Sequence, residues 1–218
     1  MDLDRLLHLL RINYDVKDWW PSESPFEVMV GAILTQQTTW ESVAKVLDRL
    51  REEGLLEIDR MASVETPVLE SIVRPAGFYR QKARRIKALA SYLVERYGSD
   101  PMRLLCGPTD SVRRELLSLE GIGKETADSI MVFGAGRGKF VAAAYSRRIL
   151  KRIGVLGSDD YDDVQSFVER TLTGGPNEYR DLYALMVQHS KEVCRSVPLC
   201  AECPMALECV FILLPERR

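Results

Sequence analysis

The stretch Leu116-Leu-Ser-Leu-Glu-Gly-Ile-Gly-Lys-Glu-Thr-Ala-Asp-Ser-Ile130 decides the reading of the fold, because it sets Gly121-Ile122-Gly123 between two segments of helical periodicity. Glycines there allow a tight turn with positive φ and leave bare the first backbone N–H groups of the second helix. With the helix dipole, those groups form a phosphate site that needs no side chain, and Lys124 adds a positive charge beside it. A G-x-G between helices also serves as a plain turn, so its weight comes from the rest of the chain.

Outward from the hairpin, apolar residues recur at helical spacing through Leu3–Tyr14, Phe26–Leu34, Val43–Leu50, Ala83–Tyr97, Val112–Leu119, Thr126–Phe133, Ile149–Val155, Val164–Leu172 and Tyr179–Val193. Alternation of strand length is almost absent, so an all-α protein is expected. Pro and Gly between these runs leave connections short enough for a compact bundle. Phe26–Leu34 carries no charge after Glu27 and reads as a helix buried on most sides, at the centre of a lobe. Gly98–Pro108 is the best candidate for a crossover between lobes.

The 218 residues are 46% hydrophobic and 28% charged, a balance that excludes a disordered or membrane-spanning chain. The charged start Met1–Arg5 is not followed by a signal-like apolar region, so a cytoplasmic protein is expected, nucleoid-associated if prokaryotic. The net charge of -2 argues against a uniformly basic nucleic-acid binder. Positive residues nevertheless cluster at Arg80, Lys82, Arg84, Arg85 and Lys87, and at Arg147, Arg148, Lys151 and Arg152, which permits one basic face. Solvated helix faces would give the same runs.

Cys194, Cys200, Cys203 and Cys209 form a C-x5-C-x2-C-x5-C pattern that can fold four thiolates around one centre. Without a secretion signal, disulfides are disfavoured, and spacing alone does not choose between a tetrahedral zinc and a cubane iron–sulfur cluster. Cys106 stands apart and reads as a small buried hydrophobe. His8 and His189 read as structural, and Asp159, Asp160, Asp162 and Asp163 as a solvated acidic turn.

Taken together, the Leu-x-Gly-Ile-Gly-x-x-Thr-Ala pattern, the Tyr-Ser-Arg-Arg-Ile from Tyr145 and the terminal cysteines resemble the endonuclease III superfamily of helix–hairpin–helix DNA glycosylases. The resemblance covers nearly the whole chain. It implies a [4Fe-4S] cluster on the four cysteines, although the first spacer of five residues departs from the usual six. Ala32-Ile-Leu-Thr-Gln-Gln-Thr38 and Arg74-Pro-Ala-Gly-Phe-Tyr-Arg-Gln-Lys-Ala83 fit the same family, and by resemblance Gln37 and Phe78 push into the duplex when a damaged base is flipped out. A core aromatic is the other reading of Phe78. Trp19-Trp-Pro21 and Trp40 look like the branch containing 3-methyladenine DNA glycosylases. Indole faces there would stack on an alkylated, positively charged purine, or else simply fill the core.

Two departures bear on mechanism. Glu125 stands where endonuclease III has its lysine nucleophile, so the resemblance implies a monofunctional enzyme that uses water. In Phe140-Val-Ala-Ala-Ala-Tyr-Ser-Arg147, the place of the family's catalytic aspartate falls on Ala143. An inactivating substitution, a natural binder that does not cut, or another acid such as Asp128 or Glu125 would each account for this. The first fits best with a pocket that is otherwise complete.

The expected fold is therefore two helical lobes with a cleft between them and a C-terminal [4Fe-4S] cluster loop, one lobe spanning 20–130 and the other 1–19 with 131–218. Expected partners are double-stranded DNA with a damaged base and no membrane, with the chain a monomer. Gly121, Gly123, Lys124, Arg80, Lys82, Arg147 and Arg148 would hold phosphates, and Trp19, Trp20, Pro21 and Trp40 would line the pocket. A non-catalytic lesion-binding protein, and an AP lyase or oxidised-pyrimidine glycosylase, are the alternatives.

Overall fold

The computed structural model describes residues 1–17 and 19–213. Its helices are α1 (Leu3–Asn13), α2 (Pro25–Leu34), α3 (Trp40–Glu52), α4 (Ile58–Ser63), α5 (Thr66–Val73), α6 (Tyr79–Tyr97), α7 (Pro101–Leu105), α8 (Thr109–Ser118), α9 (Lys124–Ala135), α10 (Ala144–Ile153), α11 (Tyr161–Thr171), α12 (Pro176–Glu192) and α13 (Val210–Leu213). Short 3-10 turns lie at Arg74–Ala76, Cys200–Glu202 and Ala206–Glu208. Among the described residues there is no strand, and no helix is long and apolar enough to cross a membrane.

Local chemistry sets the helix ends. Asp2, Ser24, Thr39, Asp100 and Asp160 accept hydrogen bonds from the first-turn N–H groups of α1, α2, α3, α7 and α11. Pro25, Pro101 and Pro176 open α2, α7 and α12, where the missing N–H has no partner to lose. The short α4, α5 and α7 gave no periodic signal, because one or two turns cannot repeat an apolar face.

The chain divides into two compact units, Trp20–Arg137 and Met1–Trp19 with Gly138–Arg218. The second boundary falls seven residues beyond the expected 130/131, because α9 runs unbroken to Ala135 and ends on the left-handed Gly136. Gly98–Pro108 is not a crossover: α7 lies inside Trp20–Arg137 and packs on α6 and α9.

In the Trp20–Arg137 unit, α2 is the central helix and packs on α9, α6 and α3. Every residue from Phe26 to Leu34 is buried, each large side chain contributing roughly 1.5–3 kcal/mol by leaving water. The charge within it, Glu27, is 1% exposed and is met by Arg51 at 2.6 Å. In the other unit, Leu3, Leu6 and Leu10 of α1 share a core with Leu182, Leu185 and Met186 of α12 and with Ile149 and Leu150 of α10.

Candidate nucleic-acid interface and cysteine loop

Between α8 and α9, Gly121 adopts φ 79° and Gly123 is the N-cap of α9, without a side-chain cap on the N–H groups that follow. Ile122, 5% exposed, pins the turn to the core. A Cβ on Gly123 would meet nothing within 4 Å, so its outer face is open to a close approach. A Cβ on Gly121 would collide with the Arg85 side chain at Nε. Lys124 and Glu125 are exposed at the start of α9.

Behind the hairpin sits Gln36, which the sequence did not single out. Its Nε2 donates to Gly121 O at 2.9 Å and to Thr126 Oγ1 at 3.1 Å, and its Oε1 accepts from Arg85 Nη1 at 2.9 Å. The neighbouring Gln37 is exposed and left-handed, φ 54°. Phe78 is also left-handed, φ 46°, and 61% exposed, so it is not a core aromatic. Gly77 before it takes φ 66° and ψ 162°, a region that only glycine occupies freely.

The first basic cluster is not a phosphate-facing array. Lys82 is 1% exposed, and its Nζ donates to Leu34 O at 2.8 Å and Ala76 O at 2.7 Å, which corrects the expectation that it meets DNA. Arg85 is held by Gln36, Lys87 donates to Val64 O, and Arg84 pairs with Glu120. Arg80 remains exposed, with its guanidinium over the Tyr79 ring.

Trp20 and Trp40 meet edge to face with centroids 5.6 Å apart, and Trp20 stacks on Phe133 at 4.9 Å. Gly31 on α2 makes room: a Cβ there would touch the Trp20 ring at 3.4 Å. The Trp20 Nε1 proton is buried without a hydrogen-bond partner. Pro21 is exposed beside this cluster. Trp19 does not belong to it. It falls in the other unit, with Lys191 Nζ 5.4 Å from its ring centroid.

In that other unit, Ala143 is the N-cap of α10, φ −58° and ψ 162°, 1% exposed and with no side chain to cap the helix. Ser146 in the same first turn is fully buried, and its hydroxyl has no hydrogen-bond partner. The basic residues of α10 make hydrogen bonds within the protein. Arg148 donates to Cys194 O at 3.0 and 3.2 Å and to Ser190 Oγ, and Arg147 Nη1 donates to Asp159 O at 2.7 Å. Arg152 donates to Ser196 O at 2.8 Å and reaches Cys194 Sγ at 3.4 Å. These cations brace the cysteine loop and the acidic turn, where Lys151 also pairs with Asp159.

Cys194, Cys200, Cys203 and Cys209 line one cavity with apolar walls that include Ile149, Ile153 and Val193. Among the described residues, no three His, Cys, Asp or Glu side chains converge as a single-ion site. Burial pushes the Cys203 and Cys209 thiols up, and the neighbouring cysteines add to the rise. His189 is buried there, 2.8 Å from Tyr14 OH, and burial pulls it down to about 4, so it is neutral. Cys106 is exposed at the end of α7, contrary to its reading as a buried hydrophobe.

Residues 30–172 match the model of the HhH-GPD superfamily base excision DNA repair protein family. A protein of Methanocaldococcus jannaschii, provisionally named a DNA repair glycosylase, is 39% identical over 94% of each chain. The Helicobacter pylori 3-methyladenine DNA glycosylase bound to 1,N6-ethenoadenine superposes with a TM-score of 0.78 at 29% identity, over 88% of this chain and 98% of the other. A non-covalent endonuclease III–DNA complex superposes with a TM-score of 0.84 at 25% identity, over 99% and 97%.

Proposed function

Since the chain belongs to the HhH-GPD superfamily of base excision DNA repair proteins, we propose that it is a monofunctional DNA glycosylase framework for alkylated bases whose chemistry is silenced at Ala143. The observation that carries this reading is the open turn at Gly121–Gly123 leading into uncapped N–H groups of α9, a site for a DNA phosphate. Gln37 and Phe78, both exposed and left-handed, are the wedges that fill the gap a flipped nucleotide leaves. The edge-to-face Trp20–Trp40 pair is the surface for a cationic purine, supported by the likeness to the 3-methyladenine glycosylase.

Hydrolysis breaks the bond from C1′ to the base nitrogen and forms a C1′–O bond from water. An alkylated, cationic base leaves neutral with the electron pair, and the water proton passes through a carboxylate to solvent. Glu125 offers no amine, so no Schiff base forms at that position. A carboxylate at position 143 would orient the water and face the developing positive charge. Its loss typically slows such a step about 100- to 10,000-fold. Asp128 does not replace it, because Arg113 holds it inside the core.

The four cysteines line one cavity and supply the four thiolates that a [4Fe-4S] cluster takes, and the likeness to endonuclease III supports that cluster over zinc. When bound, the cluster would supply a positively charged core that holds the four thiolates together, two of them buried and two half-buried. The chain's own part is to shape the loop: Arg148 and Arg152 fasten it to α10 through the carbonyls of Cys194, Arg195 and Ser196.

The test is base release from alkylated duplex DNA by the parent and by Ala143→Asp. The expected result is tight binding without release by the parent, and release by the variant faster by about 100-fold or more. A folded Ala143→Asp protein that binds but releases nothing would overturn the catalytic reading in favour of a natural lesion binder.

A further inference from the structure

Lysine is almost never fully buried unless its charge is met, yet Lys82 is 1% exposed. Its partners are two main-chain carbonyls from separate segments. Leu34 O is the last carbonyl of α2, at the negative end of that helix. Ala76 O closes the 3-10 turn Arg74–Ala76. Each carbonyl stands just ahead of a strained point in the backbone: Gln37 at φ 54° follows the first, and Gly77 at φ 66° with Phe78 at φ 46° follows the second. Among the described residues other than glycine, positive φ occurs at Gln37, Phe78 and Ser99, so two of these three positions flank the points that Lys82 ties.

Left-handed residues cost free energy and persist only where the surroundings over-determine them. Here a single ammonium joins the two segments, while Arg85, one turn further along α6, holds Gln36 and packs on the Gly121 hairpin. The third turn and the other two are therefore braced from the same helix.

We propose that Lys82 is a positioning residue for lesion recognition: its buried ammonium locks the end of α2 to the turn before α6 and so presents Gln37 and Phe78 to DNA in one fixed register. This rests on the reading of Gln37 and Phe78 as the inserting side chains. Lys82 itself touches no DNA. Its loss acts on the inserted state and spares the phosphate contacts at Gly121–Gly123.

The experiment compares the full-length parent with Lys82→Met, Phe78→Ala and Gln37→Ala. Each is titrated onto an intact duplex and onto the same duplex with a tetrahydrofuran abasic analogue beside 2-aminopurine, whose fluorescence rises when neighbouring stacking is replaced. Lys82→Met is expected to lose roughly fivefold or more of the preference for the abasic duplex, the worth of one stacking contact. Its 2-aminopurine signal should fall to that of Phe78→Ala, with intact-duplex affinity nearly kept. An unchanged preference and signal in a folded Lys82→Met protein, beside a clear loss in Phe78→Ala, overturns the role of Lys82 alone. No loss in either Phe78→Ala or Gln37→Ala overturns the insertion reading and this proposal with it. An equal loss on both duplexes also overturns it, since that is general damage. If Lys82→Met does not reach the parent's helical circular dichroism, Lys82→Gln is measured in the same way. Its shorter stem cannot carry a donor to the same point, and an unchanged preference there counts against the proposal equally.

Discussion

Arg113 grips Asp128 through two parallel hydrogen bonds, Nε to Oδ1 at 2.7 Å and Nη2 to Oδ2 at 3.0 Å, with Asp128 fully buried. A carboxylate held this way is occupied in holding α8 to α9, directly behind the hairpin. Asp128→Ala removes both of these hydrogen bonds from the largely buried Arg113 guanidinium, and the expected loss is about 3–5 kcal/mol in urea unfolding. In an Ala143→Asp background the same change should leave the release rate per folded molecule unaltered. A rate that collapses while stability holds would make Asp128 the acid after all.

Position 143 has a structural role separable from chemistry. As the N-cap of α10 it lacks a side-chain acceptor, so Ala143→Ser and Ala143→Asp should each stabilise the fold by about 0.5–2 kcal/mol. Base release should appear with aspartate alone. Equal release by both variants would show that the cap, rather than the acid, had been missing.

The two hairpin glycines should fail in different ways. Gly121→Ala forces an L side chain to φ 79° and into Arg85, at a cost of at least about 1–2 kcal/mol of stability. Gly123→Ala meets no neighbour and needs no unusual backbone, so its melting temperature should stay near the parent's. Its duplex affinity should nevertheless drop roughly tenfold, as for one lost charge-assisted hydrogen bond, because the methyl group stands where the phosphate approaches. Unchanged affinity would remove the hairpin from the interface.

Burial, with Arg85 adding to it, pulls Lys82 down to about 8, below the ordinary lysine value near 10.4. Folding therefore disfavours the protonated form. Below pH 8 both folded and unfolded chains carry the proton and the full cost is felt. From pH 8 to about 10.4 only the unfolded chain holds it, and stability rises with pH. Relative to Lys82→Met, the parent should gain on the order of 3 kcal/mol across that window in denaturant titrations. A difference that is flat with pH would mean that the two carbonyls fully compensate the buried charge.

What the sequence revealed, and what it hid, follows from where the partners lie. The turn at Gly121 was legible because its demand for positive φ is written in the residue type, and the gathering of the four cysteines on one cavity because it is written in their spacing. The depth of α2 was legible from its lack of charge. The burial of Lys82 and the internal bonds of Arg148 are not legible because their acceptors include main-chain carbonyls, which carry no side-chain signal, at Leu34 and Cys194. A cation in a basic run looks the same whether it faces a phosphate or the end of a helix. The division between Trp19 and Trp20 is where the sequence puts it, but adjacency in the chain does not show that the Trp20 ring packs on Trp40 and Phe133 while Trp19 lies by Lys191. Gln36 was overshadowed by Gln37, since only the fold turns one inward and the other out.

The pairing of α1 with α12 sets an order on synthesis. Leu3, Leu6 and Leu10 cannot be covered until Leu182, Leu185 and Met186 have been made, while everything in Trp20–Arg137 can fold as soon as Arg137 has emerged. For much of its time on the ribosome the chain thus carries a finished hairpin unit behind an N-terminal helix still waiting for its partner. The cysteine loop and α13 are made after both α1 and α12 and close on helices that are already assembled.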